Sequence, residues 1–325
     1  MRGQDSKPAP QATATLSQEV IVFGECMVEL RPEGPGRLRV GFGGDTLNLA
    51  IYLARSGSAR GIRVSYATAL GTEAFSDAMV QAWQAEQIDC RLVQRLSQRQ
   101  PGLYTISTDA RGERSFAYWR GESAARAYFE PPDTALEQAC RRHNIGAIVI
   151  SGISLAILPA PARDRLLALL RGVRQRGGLV VFDSNYRPAL WPDAASAAAV
   201  HAQALALADI ALLTLDDERA LHPGLATEAL LRRLFTLPCS DVVIKRGREP
   251  TLLRVAGQPI REIPTEPVVQ VIDSTAAGDA FGGAYLAERL CGATAAQAAA
   301  AGNRLAAQVI QHAGAIMPRQ AMPAA

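Results

Sequence analysis

The chain has 325 residues, 48% of them hydrophobic, enough to bury a sizeable core within one large domain or a domain with an appendage. Its 34 lysines and arginines against 31 acids leave a net charge of +3, and the arginines are scattered, which argues against nucleic acid as the main partner. No window approaches the roughly twenty apolar residues that a membrane span needs, so a soluble protein with no membrane contact is expected.

Residues 1–18, "MRGQDSKPAPQATATLSQ", are polar and lack the apolar run of a signal peptide, which predicts a disordered tail ahead of a domain over 19–323. The first strand is predicted at "VIVFG" from Val20. Two regions, 28–42 and 101–120, then alternate apolar and polar residues around Gly/Pro or Asp-Ala-Arg-Gly turns, the pattern of hairpins. Together they predict a small antiparallel sheet standing off the main domain. Such a sheet could cover a site as a lid, pair subunits into a homo-oligomer, or be a decorative insertion.

Further strands are predicted at "GAIVI" from Gly146, "LVVFD" from Leu179, "IALLT" from Ile210 and "DVVIK" from Asp241. Amphipathic segments separate them. In "RDRLLALLRGVRQRGG", Leu166, Leu169, Leu170 and Val173 keep helical spacing and Gly177-Gly178 end the helix. The alternation predicts an α/β sandwich with a mainly parallel sheet between helices, and ligands in such sheets bind beyond the carboxyl ends of the strands. Those ends carry Asp183, Thr214 and Lys245. Cys26, Cys90, Cys140, Cys239 and Cys291 lie far apart and read as reduced thiols, which predicts a cytoplasmic protein. His143, His201, His222 and His312 are equally dispersed, which predicts no histidine metal site and a surface or helix-end place for each.

The chemically suggestive stretch is "VIDSTAAGDAFGGAYLAERL", Val271 to Leu290. Ala276-Ala277-Gly278 at a helix start would let backbone N–H groups approach an anion without side chains in the way. Asp279 then falls in the first turn, where a carboxylate could take a proton from an attacking hydroxyl. The same four residues could instead be a tight strand-to-helix turn with an ordinary first-turn Asp.

"DSTAAGDAF" resembles the signature Asp-Thr-x-Gly-Ala-Gly-Asp of the ribokinase-like (PfkB) sugar kinases, and "GFGGDTLNLAIYLARSG" resembles that family's second signature. The finer resemblance is to the branch that phosphorylates 2-keto-3-deoxygluconate. It is carried in order, from Val20 to Pro323, by "FGECMVEL", "GFGGDTLN", "PGLYTISTDARGERSFAYWR", "SGISLAIL", "FDSNYRPALW", "LTLDDE", "VIKRG" and "GAIMPR". The resemblance implies a ribokinase-like three-layer α/β/α sandwich with a small antiparallel β lid. It implies ATP and Mg²⁺ as cofactors, a small-molecule sugar acid as partner, and phosphorylation of the C6 hydroxyl of 2-keto-3-deoxy-D-gluconate.

Carried over residue by residue, the resemblance implies Asp279 as general base and Ala276, Ala277 and Gly278 as the anion hole for the transferring phosphate. It implies Gly44, Asp45, Asn48, Tyr104, Tyr118, Arg120 and Arg187 for the sugar acid. For the nucleotide it implies Asn185, Arg187, Lys245, Gly247 and Asn303. An arginine forks onto a carboxylate bidentately, as a kinase for an acid sugar requires. Neither a Gly-x-x-x-x-Gly-Lys-Ser/Thr loop nor a Gly-x-Gly-x-x-Gly fingerprint is present, which disfavours a P-loop enzyme and a dinucleotide oxidoreductase. Two departures stand out. Leu215 occupies the place where many members carry an Asn three residues before a Glu, leaving only Glu218 for indirect organisation of magnesium. Ser274 and Ala276 replace the usual Thr and Gly, and the β-carbon of Ala276 could alter the turn. A kinase for a neutral sugar such as ribose or fructose and a non-catalytic sugar-acid sensor are the alternatives. The sensor could dispense with Asp279.

Overall fold

The structure, a computed structural model, describes residues 17–108, 114–142 and 144–323. The greater part of the expected tail, the Asp-Ala-Arg-Gly turn of the second hairpin and His143 lie outside these. In chain order the strands are β1 (Glu19–Phe23), β2 (Met27–Pro32), β3 (Leu38–Gly43), β4 (Arg63–Leu70), β5 (Ile88–Asp89), β6 (Val93–Arg95), β7 (Leu103–Thr108) and β8 (Arg114–Trp119). They continue as β9 (Ala147–Ser151), β10 (Leu179–Asp183), β11 (Ile210–Thr214), β12 (Asp241–Arg246), β13 (Glu249–Val255) and β14 (Arg261–Ile263). The helices are α1 (Asp45–Gly57), α2 (Ala74–Ala85), α3 (Ala135–Arg142), α4 (Gly152–Ile157) and α5 (Ala160–Gln175), then α6 (Ala194–Leu205), α7 (Leu215–Leu221), α8 (Thr227–Phe235), α9 (Ala277–Leu290) and α10 (Ala295–Val309).

The main sheet runs β14-β13-β12-β11-β10-β9-β1-β4-β5, parallel from β12 through β5 and antiparallel only at the β13–β14 edge. Strands β1, β9, β10, β11 and β12 read as short aliphatic runs because both faces are covered. Ile21 and Phe23 of β1, Ile148 and Ile150 of β9, and Val180 and Phe182 of β10 join a core with Leu166, Leu169, Leu170 and Val173 of α5. Val20, Val22, Val149 and Val181 point the other way, onto Leu49 and Leu53 of α1 and Phe281 and Tyr285 of α9. The result is the expected three-layer sandwich.

All five strands expected in the main sheet are present at the expected places. Sequence reading did not draw β4, where "RVSYATAL" is nearly all buried yet carries Ser65, Tyr66 and Thr68 among its apolar residues. The two hairpins, β2–β3 and β7–β8, are antiparallel within themselves and meet along a parallel β2–β7 seam. They make a four-stranded sheet, β3-β2-β7-β8, separate from the main one. A turn fixes register inside a hairpin, whereas the pairing between hairpins is a tertiary contact.

One expectation fails. His201 is neither at the surface nor at a helix end but fully buried on α6, edge-on to Phe182, Tyr186 and Trp191. Burial pushes its imidazole down to about 4, so it sits in this aromatic nest as a neutral ring. None of Cys26, Cys90, Cys140, Cys239 and Cys291 pairs with another. No helix among the described residues is long and apolar enough to cross a membrane.

Candidate active site

The carboxyl ends of β10, β11 and β12, the starts of α1 and α9, and the underside of the small sheet enclose one cleft of about 1020 Å³. Asp183, Thr214 and Lys245 line it at the strand ends, and Tyr104, Tyr118 and Arg120 line it from the small sheet. Gly44, Asp45, Asn48, Asn185, Arg187, Gly247, Ala276, Ala277, Gly278, Asp279 and Asn303 line it too. Every predicted site residue except Glu218 therefore meets in one place.

Asp279 is brought there by helix packing. An added β-carbon on Gly283 would stand 2.8–2.9 Å from backbone atoms of Leu53 and Leu49, so only glycine lets α9 approach α1 this closely. One turn earlier, Asn48 Nδ2 of α1 then donates to Asp279 Oδ2 at 2.8 Å. Desolvation, and after it the negative charges of Asp45 and Asp183, push the Asp279 carboxyl up to about 8, against the opposing pull of Asn48 and Lys245. Asp279 is half-buried, and the face it exposes opens on the cleft. A perturbed carboxyl at the floor of a cleft is the form a general base takes.

With Ser274 and Ala276 in place, the start of α9 still lines the cleft. No side chain caps α9; Ala277 N donates to Ser274 O at 3.3 Å, and Gly278 and Asp279 follow it in the cleft lining, where the helix dipole favours an anion. Lys245 Nζ lies 3.3 Å from where a β-carbon on Gly278 would be, and it donates to Asp183 Oδ2 at 3.0 Å. Burial holds the Asp183 carboxyl above its usual range against the attraction of Lys245. Asp273 fastens the approach to the helix, accepting from Thr275 N at 3.0 Å and from Gly314 N at 2.7 Å.

Ala276 adopts the left-handed conformation, φ 62° and ψ 11°. An L-residue with a β-carbon pays roughly 1–2 kcal/mol there, whereas glycine costs nothing in the fold but about 0.4–1 kcal/mol in extra freedom of the unfolded chain. Ala276→Gly should therefore stabilise the protein by roughly 0.5–1 kcal/mol, a rise in Tm of about 1–3 °C, without slowing turnover. A fall in Tm would show that the turn does not carry this strain.

The end of the cleft beneath the small sheet is less open than the sequence suggests. Arg120 is not free: its Nη2 donates to Glu25 Oε2 and its guanidinium lies 5.9 Å over the Tyr118 ring. Tyr104 donates to Glu29 and stacks on Tyr118 with ring centroids 5.8 Å apart. Asn185 Nδ2 donates to Asp45 Oδ2 at 2.7 Å. Arg187 is half-exposed on the rim, 3.6 Å from Asp217. Asn303 accepts from Thr251 at 2.9 Å and donates to the carbonyls of Ile263 and Pro264, which ties α10 to the sheet edge beside the cleft. Glu218 is buried outside the cleft lining, with its carboxyl pushed up to about 7 by burial and the neighbouring Asp217 charge. Sequence reasoning missed Glu25, Glu29 and Asp217. Two of them sit in "FGECMVEL" and one in "LTLDDE", where an acid beside a predicted strand end was the available signal.

The model of the family described as "pfkB family carbohydrate kinase" matches residues 17–322. The 2-dehydro-3-deoxygluconokinase of Escherichia coli strain K12 is 46% identical over 312 residues, covering 95% of this chain and all of that one. The enzyme of the same name from Dickeya dadantii strain 3937 is 45% identical over 311 residues, covering 95% of this chain and 99% of that one. Among solved structures, an E. coli protein in complex with ATP and Mg²⁺ superposes with a TM-score of 0.79 at 22% identity, over 91% of this chain and 94% of that one, a likeness of fold.

Proposed function

Because the chain belongs to the pfkB family of carbohydrate kinases, we propose that it transfers the γ-phosphoryl group of ATP to the C6 hydroxyl of 2-keto-3-deoxy-D-gluconate, with Asp279 as general base. The observation that carries the chemistry is a carboxyl raised to about 8 at the mouth of an uncapped helix N-terminus, with a lysine alongside. A base and an anion hole in one place suit transfer of a phosphoryl group to a hydroxyl.

The reading assigns each group a task. Asp279 takes the proton of the C6 hydroxyl, whose oxygen bonds to the γ-phosphorus as the bond to the β-phosphate bridging oxygen breaks and ADP leaves. The amides of Gly278 and Ala277, the latter giving up its bond to Ser274 O, and the Lys245 ammonium donate to the phosphoryl oxygens and stabilise the charge that spreads over them. Gly44, Asp45 and Asn48 hold sugar hydroxyls, and Tyr104, Tyr118, Arg120 and Arg187 hold the acid end. Asn185 and Gly247 border the nucleotide, and Asn303 acts by positioning that wall of the cleft.

The donor set fits a nucleotide polyphosphate. Magnesium would be carried by the nucleotide phosphates, as this hard cation commonly is. Bound there, it would supply neutralisation of phosphate charge. Asp217, which lines the cleft, would face the ion, and Glu218 behind it would act only indirectly, through the Asp217 charge.

The direct test is incubation with ATP, Mg²⁺ and the keto acid, followed by phosphorus and carbon NMR of the product. A phosphomonoester on C6 with stoichiometric ADP is expected. No turnover, or phosphate on another carbon, would overturn the assignment.

A further inference from the structure

We infer that Glu25 is the positioning residue for acid recognition, holding the Arg120 guanidinium at the base of the small sheet with its remaining donors available to the substrate's carboxylate. The inference rests on the sugar-acid reading above and adds a residue to it.

Glu25 lies in the short link between β1 and β2, where the chain leaves the main sheet, and Arg120 directly follows β8, where it returns. The Glu25 side chain has no solvent exposure and the Arg120 side chain 11%. Glu25 Oε2 takes a hydrogen bond from Arg120 Nη2, while Oε1 has no hydrogen-bond partner among the described residues. A buried carboxylate with a single cationic partner is costly unless that partner is held firmly, so the pair orders both members. Arg120 is not exhausted by it. Its Nε is also buried without a partner, and the side chain lines the cleft, so the guanidinium retains donors for a second carboxylate.

A purely structural role is redundant here. Val28 N donates to Gly102 O at 2.8 Å, Ala124 N to Gln100 O at 2.8 Å and Ser123 N to Arg120 O at 3.2 Å. Backbone hydrogen bonds thus already fasten the base of the small sheet. What the ion pair adds is the direction and charge of one side chain that faces the cleft.

The test is steady-state kinetics of Glu25→Ala, Glu25→Gln and Glu25→Asp in the full chain. Glu25→Ala should raise KM for the keto acid at least about tenfold, the scale of one charge-assisted hydrogen bond, and leave KM for ATP within about twofold. Glu25→Gln still offers Arg120 an acceptor and should recover most of that loss. On an Arg120→Met background, Glu25→Ala should change KM for the keto acid by less than about twofold, because the residue acts only through Arg120. Should Glu25→Ala not fold, Glu25→Asp carries the test: it keeps the charge but withdraws it from Arg120, and its KM for the keto acid should rise. An unmoved keto-acid KM, equal effects on both substrates, a Gln variant no better than Ala, or full additivity with Arg120→Met would each overturn the inference. Wild-type protein active only on neutral sugars would overturn the proposed substrate and this inference together. Wild-type turnover of the keto acid with KM unmoved in the variants overturns this inference alone.

Discussion

Replacing Asp279 with Asn should lower kcat on the order of a hundredfold or more, the usual scale for a general base, while ATP binding persists. The amide keeps the size of the side chain and still accepts the hydrogen bond from Asn48, so the α1–α9 contact survives and only proton acceptance is lost. A matching pH dependence is expected. The base must be unprotonated, so kcat/KM of the wild type should climb as pH rises toward about 8 and then level. Asp45→Asn removes a nearby negative charge that raises Asp279, so it should move that limb to lower pH.

Stability carries the opposite sign. In the unfolded chain Asp279 loses its proton near its ordinary 3.8, whereas in the fold it keeps it to about 8. Between those values the folded state binds more protons, so raising the pH favours unfolding and the carboxyl costs stability that grows across the window. Asp279→Asn lacks this cost. Its melting temperature should match the wild type near pH 4 and exceed it, by at least roughly 2 °C, at pH 8 and above. An unchanged kcat would remove Asp279 from the mechanism, and an unchanged Tm difference across pH would show that its carboxyl is not desolvated in the fold.

The second large effect expected is discrimination between acid and neutral sugars. A site built to hydrogen-bond a substrate group can reject an analogue lacking it by roughly 10⁴ or more, because its own polar groups are left unmet. Here that figure needs discounting for two visible reasons. Arg187 is half-exposed, so water can satisfy it when no carboxylate arrives. Arg120 is partly satisfied by Glu25 even in the absence of substrate. Fructose and ribose should accordingly be turned over with kcat/KM at least about a hundredfold below 2-keto-3-deoxygluconate. Comparable values would favour the neutral-sugar kinase even if Asp279 proved essential. Loss of all turnover alongside retained binding of the keto acid would favour the sensor.

Much of this was legible in the chain itself, and the reason is locality. Strands β1, β9, β10, β11 and β12 are short aliphatic runs ended by polar or small residues, and their burial on both faces leaves no competing pattern. The small-residue turn before Asp279 announces a helix start open to an anion, because missing side chains are visible in sequence as such. The ordered motifs implied residue roles that spacing alone left open. What local pattern does not encode is which distant groups share space. That Gly283 brings α9 onto α1 and so sets Asp279 against Asn48, that the two hairpins join along a parallel seam, and that His201 is walled in by Phe182, Tyr186 and Trp191 are long-range contacts. The same holds for the arginines. Sequence reading expected Arg120 to await a carboxylate, but the fold places Glu25, ninety-five residues away in the chain, directly against it. Charge is a property of the residue, whereas the share of that charge left for a ligand depends on which neighbours the fold supplies.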